Sequence, residues 1–232
     1  LYAYDIITYD RNRDIPDHTR HIPTGHALSR PECIKLFPGL NRKGLTGGAV
    51  FSDAQMYSPA RLAISFLKSA VERGTDAVNY AEVKGFLKKD RSVYGVKVKD
   101  MVSGQTFDVR GKVVLNASGG WAEPLLKASM DFSLNPSLSF SRDAAFVINR
   151  RITGDYALAV QAESKDPDAI LSRGGRHLFL VPWRNHTLVG VWHVVHKGNP
   201  DKAVVRTDDL RGFIDEVNAA YPPLELSLND VS

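Results

Sequence analysis

One cysteine, Cys33, and three methionines are all the sulfur in these 232 residues. A single thiol rules out an internal disulfide framework and leaves no cysteine cluster to hold a metal; a reducing, cytoplasmic setting fits it best. Cys33 itself, in "PECIKLFPGL", reads as a buried thiol ahead of a nucleophile. No run approaches the roughly 18 apolar residues that a bilayer span requires. The opening "LYAYDIITYDRNRD" mixes charge with aromatics and does not read as a signal peptide. Charge of one sign is also scarce: Lys and Arg exceed Asp and Glu by only four, and they are interleaved rather than striped. That excludes a nucleic-acid track, while mild basicity suits anionic substrates or an anionic membrane surface. The sharp Gly-x-Ser-x-Gly turn of a serine hydrolase is missing. The histidines at 177, 186, 193 and 196 have no compatible ligand spacing, so no metal site is expected.

What is present divides into two textures. Residues 1–50 read as irregular, with a short helix in "HALSRPECIKLFPGL" that Ser29 caps, Pro31 starts and Pro38-Gly39 stops. "GGAVFSD" follows as a short strand. The clearest helix is 58–74, "SPARLAISFLKSAVERG", whose Leu62, Phe66, Leu67, Ala70 and Val71 form one apolar stripe. "DAVNYAEVKGFLKKD" reads as a strand with its apolar core between Val78 and Val83. "SVYGVKVKD" and "QTFDVRGKVVLNAS" alternate with period two across "MVSG", giving a hairpin that runs into a buried strand at Val113, Val114 and Leu115. Beyond about residue 130 come four strand-like runs: 137–151, 154–163, 175–183 and 186–196. They have the pattern of an antiparallel sheet. A last helix begins at Thr207 as N-cap, with two Asp in its first turn. The expected fold class is therefore α+β: a partial α/β layer that could cover a nucleotide-binding sheet spans 1–130, and a mainly antiparallel sheet with covering helices spans 131–232.

The order of "GGAVFSDAQMYSPARLAISFLKSAVERG", "NYAEVKGF", "VYGVKVKD", "GKVVLNASGGWAEPLL" and "HLFLVPWRNHTLVGVWHVVHKGNPDKAVVRTDDLRGFIDEVNAAYP" resembles the flavin-dependent glycerol-3-phosphate dehydrogenases, and more broadly the DAO-type FAD oxidoreductases. The resemblance covers nearly the whole chain and rests on order and spacing. It implies an enzyme whose parent binds FAD and transfers hydride from a hydroxyl- or amine-bearing carbon to the flavin, with quinone or oxygen as final acceptor. In the family, the backbone at the position of Val83 meets the adenine edge, which an extended strand can do through its own N–H and C=O. The "NASGGWA" turn resembles a segment lying against the flavin diphosphate and ribose, so Ala117, Ser118, Gly119, Gly120 and Trp121 are the remaining cofactor-binding candidates. Trp121 reads also as a packing residue.

The family's Gly-x-Gly-x-x-Gly turn, which receives the pyrophosphate at a helix N-terminus, occurs nowhere among the 18 glycines of this sequence. The chain thus reads as an internal portion of a flavoenzyme that by itself is inactive and holds FAD poorly. Where the family carries Lys-Gly-x-His, this chain has Arg142, Asp143, Ala144 and Ala145. Where the family reads Thr-Thr-Asp, it has Val191, Trp192 and His193. Arg142 has the donor fork to clamp an anionic substrate, and equally the character of a surface arginine. His193 and His196 are acid–base candidates near neutral pH, but on an alternating strand they face opposite sides and read first as core or surface residues. No catalytic residue is assignable from sequence alone. A non-enzymatic module binding a small anion or a partner protein is the competing reading. Exposed apolar surface would favour a homodimer, and peripheral contact with the inner face of a membrane is a further expectation.

Overall fold

The computed structural model describes residues 2–130, 140–162, 177–196 and 198–232. The first positions of the expected strand at 137–151, the last of 154–163, and residues 175 and 176 lie outside the described residues. In chain order the helices are α1 (Tyr2–Ile7), α2 (Arg30–Leu36), α3 (Pro59–Val71), α4 (Ala122–Met130) and α5 (Thr207–Ala220). The strands are β1 (His26–Ser29), β2 (Gly47–Val50), β3 (Ala81–Lys89), β4 (Ser92–Asp100), β5 (Thr106–Arg110), β6 (Phe140–Ile148), β7 (Leu158–Gln161), β8 (His177–Trp183) and β9 (His186–His196). They fall into two compact units: residues 1–57, 143–193 and 205–232 form one, and 58–142 with 194–204 form the other.

The first unit is built on a four-stranded sheet ordered β6-β9-β8-β7. β8 and β9 form a hairpin in which Trp183 pairs with His186, and Arg184 adopts the positive φ that a two-residue turn requires. Alternation does the rest. Leu178 and Leu180 on β8, and Thr187 and Val189 on β9, are completely buried, as is nearly all of Ile148 on β6. Against them α5 lays Phe213, Ile214 and Val217. Phe213 meets Phe146 edge-on at 5.0 Å and Trp192 at 5.2 Å between ring centroids. The completely buried Thr187 hydroxyl is satisfied in both roles. Thr187 Oγ1 donates to the Arg150 carbonyl at 2.9 Å and accepts from Ile152 N at 3.0 Å. The four expected strands and the closing helix are thus present. The helix cap is displaced by one residue, because Arg206 N donates to Asp209 and Thr207 is already helical.

Residues 1–50 are more ordered than the sequence suggests. α1 is tied down where Asp5 pairs with Arg11 at 3.0 Å and accepts from Gly25 N. β1 and β2 form an antiparallel ribbon, so "HALS" is a strand and the helix starts only at Arg30. Ser29 donates to Glu32 from both its backbone N and its hydroxyl, at 2.7 and 2.6 Å. Cys33 is buried, and a Cβ on Gly48 would stand 2.8 Å from its sulfur, which explains glycine there.

The second unit carries a β3-β4-β5 meander. β3 begins at Ala81, later than Val78, which is 74% exposed. α4 approaches β3 closely: a Cβ on Gly85 would lie 3.3 Å from Ser129 Oγ, and Lys88 Nζ donates to the Ser129 carbonyl. Two expectations are corrected here. Residues 112–116 are not a buried strand; Val113 and Leu115 are 84% and 88% exposed, without strand pairing. The stripe of α3 is also uncovered, with no buried residue in the whole helix. The apolar patterns are as read, but no described residue covers them.

Exposed carboxylates in tight turns give a pH prediction. The Ser29 hydroxyl and amide hold Glu32 below the usual 4.5, and the Ser227 amide and hydroxyl hold Asp230 below the usual 3.8. A carboxylate depressed in the folded state supports folding above its unfolded pKa and loses that support as pH falls through its folded value. NMR titration of the side-chain carboxyl carbons should place both midpoints below those usual values. Ser29→Ala should return Glu32 toward 4.5 and leave Asp230 unmoved.

Candidate functional site

The turn after residue 116 is organised by Asn116. Its Oδ1 accepts from the Ser118 hydroxyl at 2.6 Å and the Ser118 amide at 3.3 Å, and its Nδ2 donates to the Ala122 carbonyl. This is an Asx-type turn, which a short amide side chain makes with the backbone two residues on. Gly119 then takes φ +57, a conformation costly for residues with a Cβ, and no atom lies within 4 Å of where its Cβ would be. Gly120 differs: a Cβ there would meet Pro200 at 3.2 Å. Trp121 Nε1 donates to Asp201 at 2.9 Å while half its surface stays open. So Ala117, Ser118 and Gly119 form an accessible small-residue surface, whereas Gly120 and Trp121 receive the segment 200–201 of their own unit.

Val83 sits half-buried on β3 opposite Val98, beside a register shift between Val83 and Gly85. β3 is an edge of its sheet, and an edge strand directs alternate N–H and C=O groups away from its neighbour. Arg142, near the start of β6, donates to the Val204 carbonyl.

None of these residues lines the cleft of about 1780 Å³ in the first unit, which is walled by α2, the β1–β2 ribbon and the chain around Tyr156, with Phe179, Val181 and Leu188 on its sheet side. It exceeds the roughly 300–1,000 Å³ of an ordinary small-molecule pocket.

The sheet face beneath that cleft carries a pair that the sequence did not join. His193 Nδ1 lies 2.8 Å from Asp143 Oδ1. An ionised carboxylate only accepts, so Nδ1 carries the proton, and in the neutral ring Nε2 carries the lone pair. Strict alternation from Val189 would turn His193 toward α5. The alternation instead slips by one, because Val189 and Trp192, three residues apart, both face α5: Val189 is completely buried in the core and Trp192 packs on Phe213. His193 is thereby placed on the opposite face with Asp143 and Ala145, the residues that alternate with buried Phe146 and Ile148. Ala145 and Gly190 abut there, since a Cβ on Gly190 would be 3.1 Å from that of Ala145. The available signal was chemical, an Asp on one strand and a His on another of the same sheet, but it needed the β6–β9 adjacency to be visible. His196 contacts the Asn199 carbonyl instead.

The sequence profile described as "FAD dependent oxidoreductase" (DAO) matches residues 7–232. The chain belongs to that family. Among curated relatives, the alpha-glycerophosphate oxidase of Lactococcus lactis is 25% identical over 96% of this chain and 35% of its own length. The glycerol-3-phosphate dehydrogenase of Synechocystis sp. is 25% identical over 100% and 40%, and the aerobic glycerol-3-phosphate dehydrogenase of Bacillus subtilis 28% over 88% and 35%. Among solved structures, the glycerol-3-phosphate dehydrogenase of Bacillus halodurans complexed with FAD superposes with a TM-score of 0.71 at 25% identity, covering 89% of this chain and 40% of that one. Glycine oxidase of Geobacillus kaustophilus, at 19% identity and a TM-score of 0.58, shares the fold. The chain therefore spans 35–40% of these three curated relatives.

The residues present fit one flank of FAD and not all of it. Gly119 leaves open space and β3 offers an edge, but the glycine-rich cradle for the pyrophosphate does not occur in the sequence. Among the described residues no helix is long and apolar enough to cross a membrane.

Proposed function

We propose that this chain forms the flavin-flanking and substrate-facing part of an FAD-dependent oxidoreductase of the glycerol-3-phosphate dehydrogenase and oxidase type. The reaction is removal of hydride from a carbon bearing a hydroxyl or an amine, with oxygen or a quinone as final acceptor. The observation that carries this reading is the family match across residues 7–232, joined to the likeness to an FAD-complexed glycerol-3-phosphate dehydrogenase.

Within that reading, residues 1–130 supply the cofactor flank and 131–232 the substrate side. The β3 edge at Val83 offers backbone groups to the adenine. The surface of Ala117, Ser118 and Gly119 lies along the ribose and diphosphate, with Gly120 and Trp121 fixing the turn behind it. FAD, when bound, supplies the two-electron acceptor; the protein orients the substrate and excludes water. Arg142, on the α5 side of β6 and donating to the Val204 carbonyl, offers an anionic substrate long-range attraction rather than a contact. The departures at Ala145 and at Val191, Trp192 and His193 favour an anion other than glycerol 3-phosphate. The uncovered α3 stripe and β5, exposed along its full length, support self-association. Peripheral attachment to the cytoplasmic face of a membrane completes the proposal.

The test is anaerobic mixing of the flavin-loaded holoprotein with glycerol 3-phosphate and a panel of small hydroxy acids and amines. We expect the oxidised-flavin absorbance to bleach with one anionic member of the panel, and Arg142→Ala to raise its KM by about threefold, the loss of a through-space attraction that weakens further with added salt. A flavin that stays oxidised with every compound would overturn the reading.

A further inference from the structure

We propose that His193, held by Asp143, is the group that takes the substrate's hydroxyl or amine proton. This rests on the oxidoreductase reading above. As the C–H bond breaks and its electron pair leaves with hydrogen as hydride for the flavin, the O–H or N–H bond must also release a proton for C=O or C=N to form. That proton needs an acceptor. His193 offers one: Nδ1 is committed to Asp143 at 2.8 Å, which fixes the tautomer with the lone pair on Nε2. A carboxylate in this place orients the ring and stabilises the imidazolium that forms.

Placement supports the assignment. The slip in alternation between Val189 and Trp192 puts His193 on the sheet face that also carries the floor of the cleft at Phe179, Val181 and Leu188. Along β9, Leu188 and His193 are five residues apart, about 17 Å of strand, and between them Gly190 and Ala145 make a floor without large side chains. A flat substrate can rest there with its reacting oxygen or nitrogen beside the imidazole. His193 is about two-fifths exposed, open enough for contact. Two other histidines of the sheet are less suited: His196 is engaged by the Asn199 carbonyl, and His186 packs against the Trp183 ring at the hairpin.

Two measurements decide it. In the flavin-loaded holoprotein, His193→Gln should slow flavin reduction by about 10²–10⁴-fold with flavin content unchanged, and added imidazole should restore part of the rate to His193→Ala. In the 232-residue chain, ¹⁵N NMR of His193 should show the Nδ1–H tautomer, lost in Asp143→Asn; Asp143 is a positioning residue. If the wild-type holoprotein reduces its flavin with no hydroxyl or amine substrate, the oxidoreductase reading fails and takes this assignment with it. If it does, but His193→Gln is as fast, the assignment alone is wrong. A slowed variant that imidazole does not rescue, with a tautomer indifferent to Asp143→Asn, assigns His193 a structural role and equally overturns the proposal.

Discussion

Titrated with FAD, the isolated 232-residue chain should show no saturable binding tighter than about 1 μM, the affinity at which binding is worth about 8 kcal/mol. Most of a dinucleotide's charge sits on its pyrophosphate, and the fold that recognises it does so with glycine-bared backbone amides at a helix N-terminus. None of the 18 glycines here has that spacing. What remains is an edge strand at Val83 and the open surface at Gly119. Even this turn is partly occupied, since Pro200 fills the approach to Gly120 and Asp201 holds the Trp121 indole. Adenine-edge and ribose contacts alone lack the charge-assisted bonds that make such binding tight. The check is quenching of flavin fluorescence, or its perturbed absorbance, across a titration. Saturation at low micromolar FAD would mean that the phosphates have another seat, and the account of the cofactor flank would have to be rebuilt around it.

Periodicity reports the covering an element demands, and it is silent about which segment supplies it. This separates what was legible in the sequence from what was not. The β8–β9 hairpin and α5 were readable because their partners are each other: Leu178, Leu180, Val189 and Phe213 alternate or recur at the right spacing and bury one another. α3 and Val113 to Leu115 were read with equal justification as elements with a buried face, and there the pattern held while the covering did not. α1 was invisible because six residues carry too little periodicity; an ion pair to Arg11 and an amide from Gly25 tie it down. The turn at 116–119 was legible because its chemistry is local. The Asn116 turn and the positive φ of Gly119 follow from residue types three positions apart. The His193–Asp143 pair was not, because it joins residues fifty positions apart and depends on a slip in β9 that no propensity encodes.

The stability of the first unit should depend on Phe213 more than on any exposed residue of the chain. It is 1% exposed, and it is the contact through which α5 reaches both Phe146 on β6 and Trp192 on β9. Phe213→Ala removes a ring from between two other aromatics that cannot close the gap, because each is anchored on its own strand. Such truncations cost about 3–5 kcal/mol, out of a total that for a domain is commonly about 5–15 kcal/mol. The loss has a functional corollary. Trp192 faces α5 because Phe213 receives it, and His193 faces away because Trp192 does not. Removing the ring should therefore loosen the His193–Asp143 pair as well as the core. Urea unfolding followed by amide signals of each unit separately is the appropriate measurement, since one global transition need not describe two units. We expect the midpoint for residues 143–193 and 205–232 to fall sharply, and Phe107→Ala, on exposed β5 of the other unit, to change stability by no more than about 0.5 kcal/mol. Equal midpoints for wild type and Phe213→Ala would show that α5 is not what closes this sheet, and the orientation of the histidine would then need a different cause.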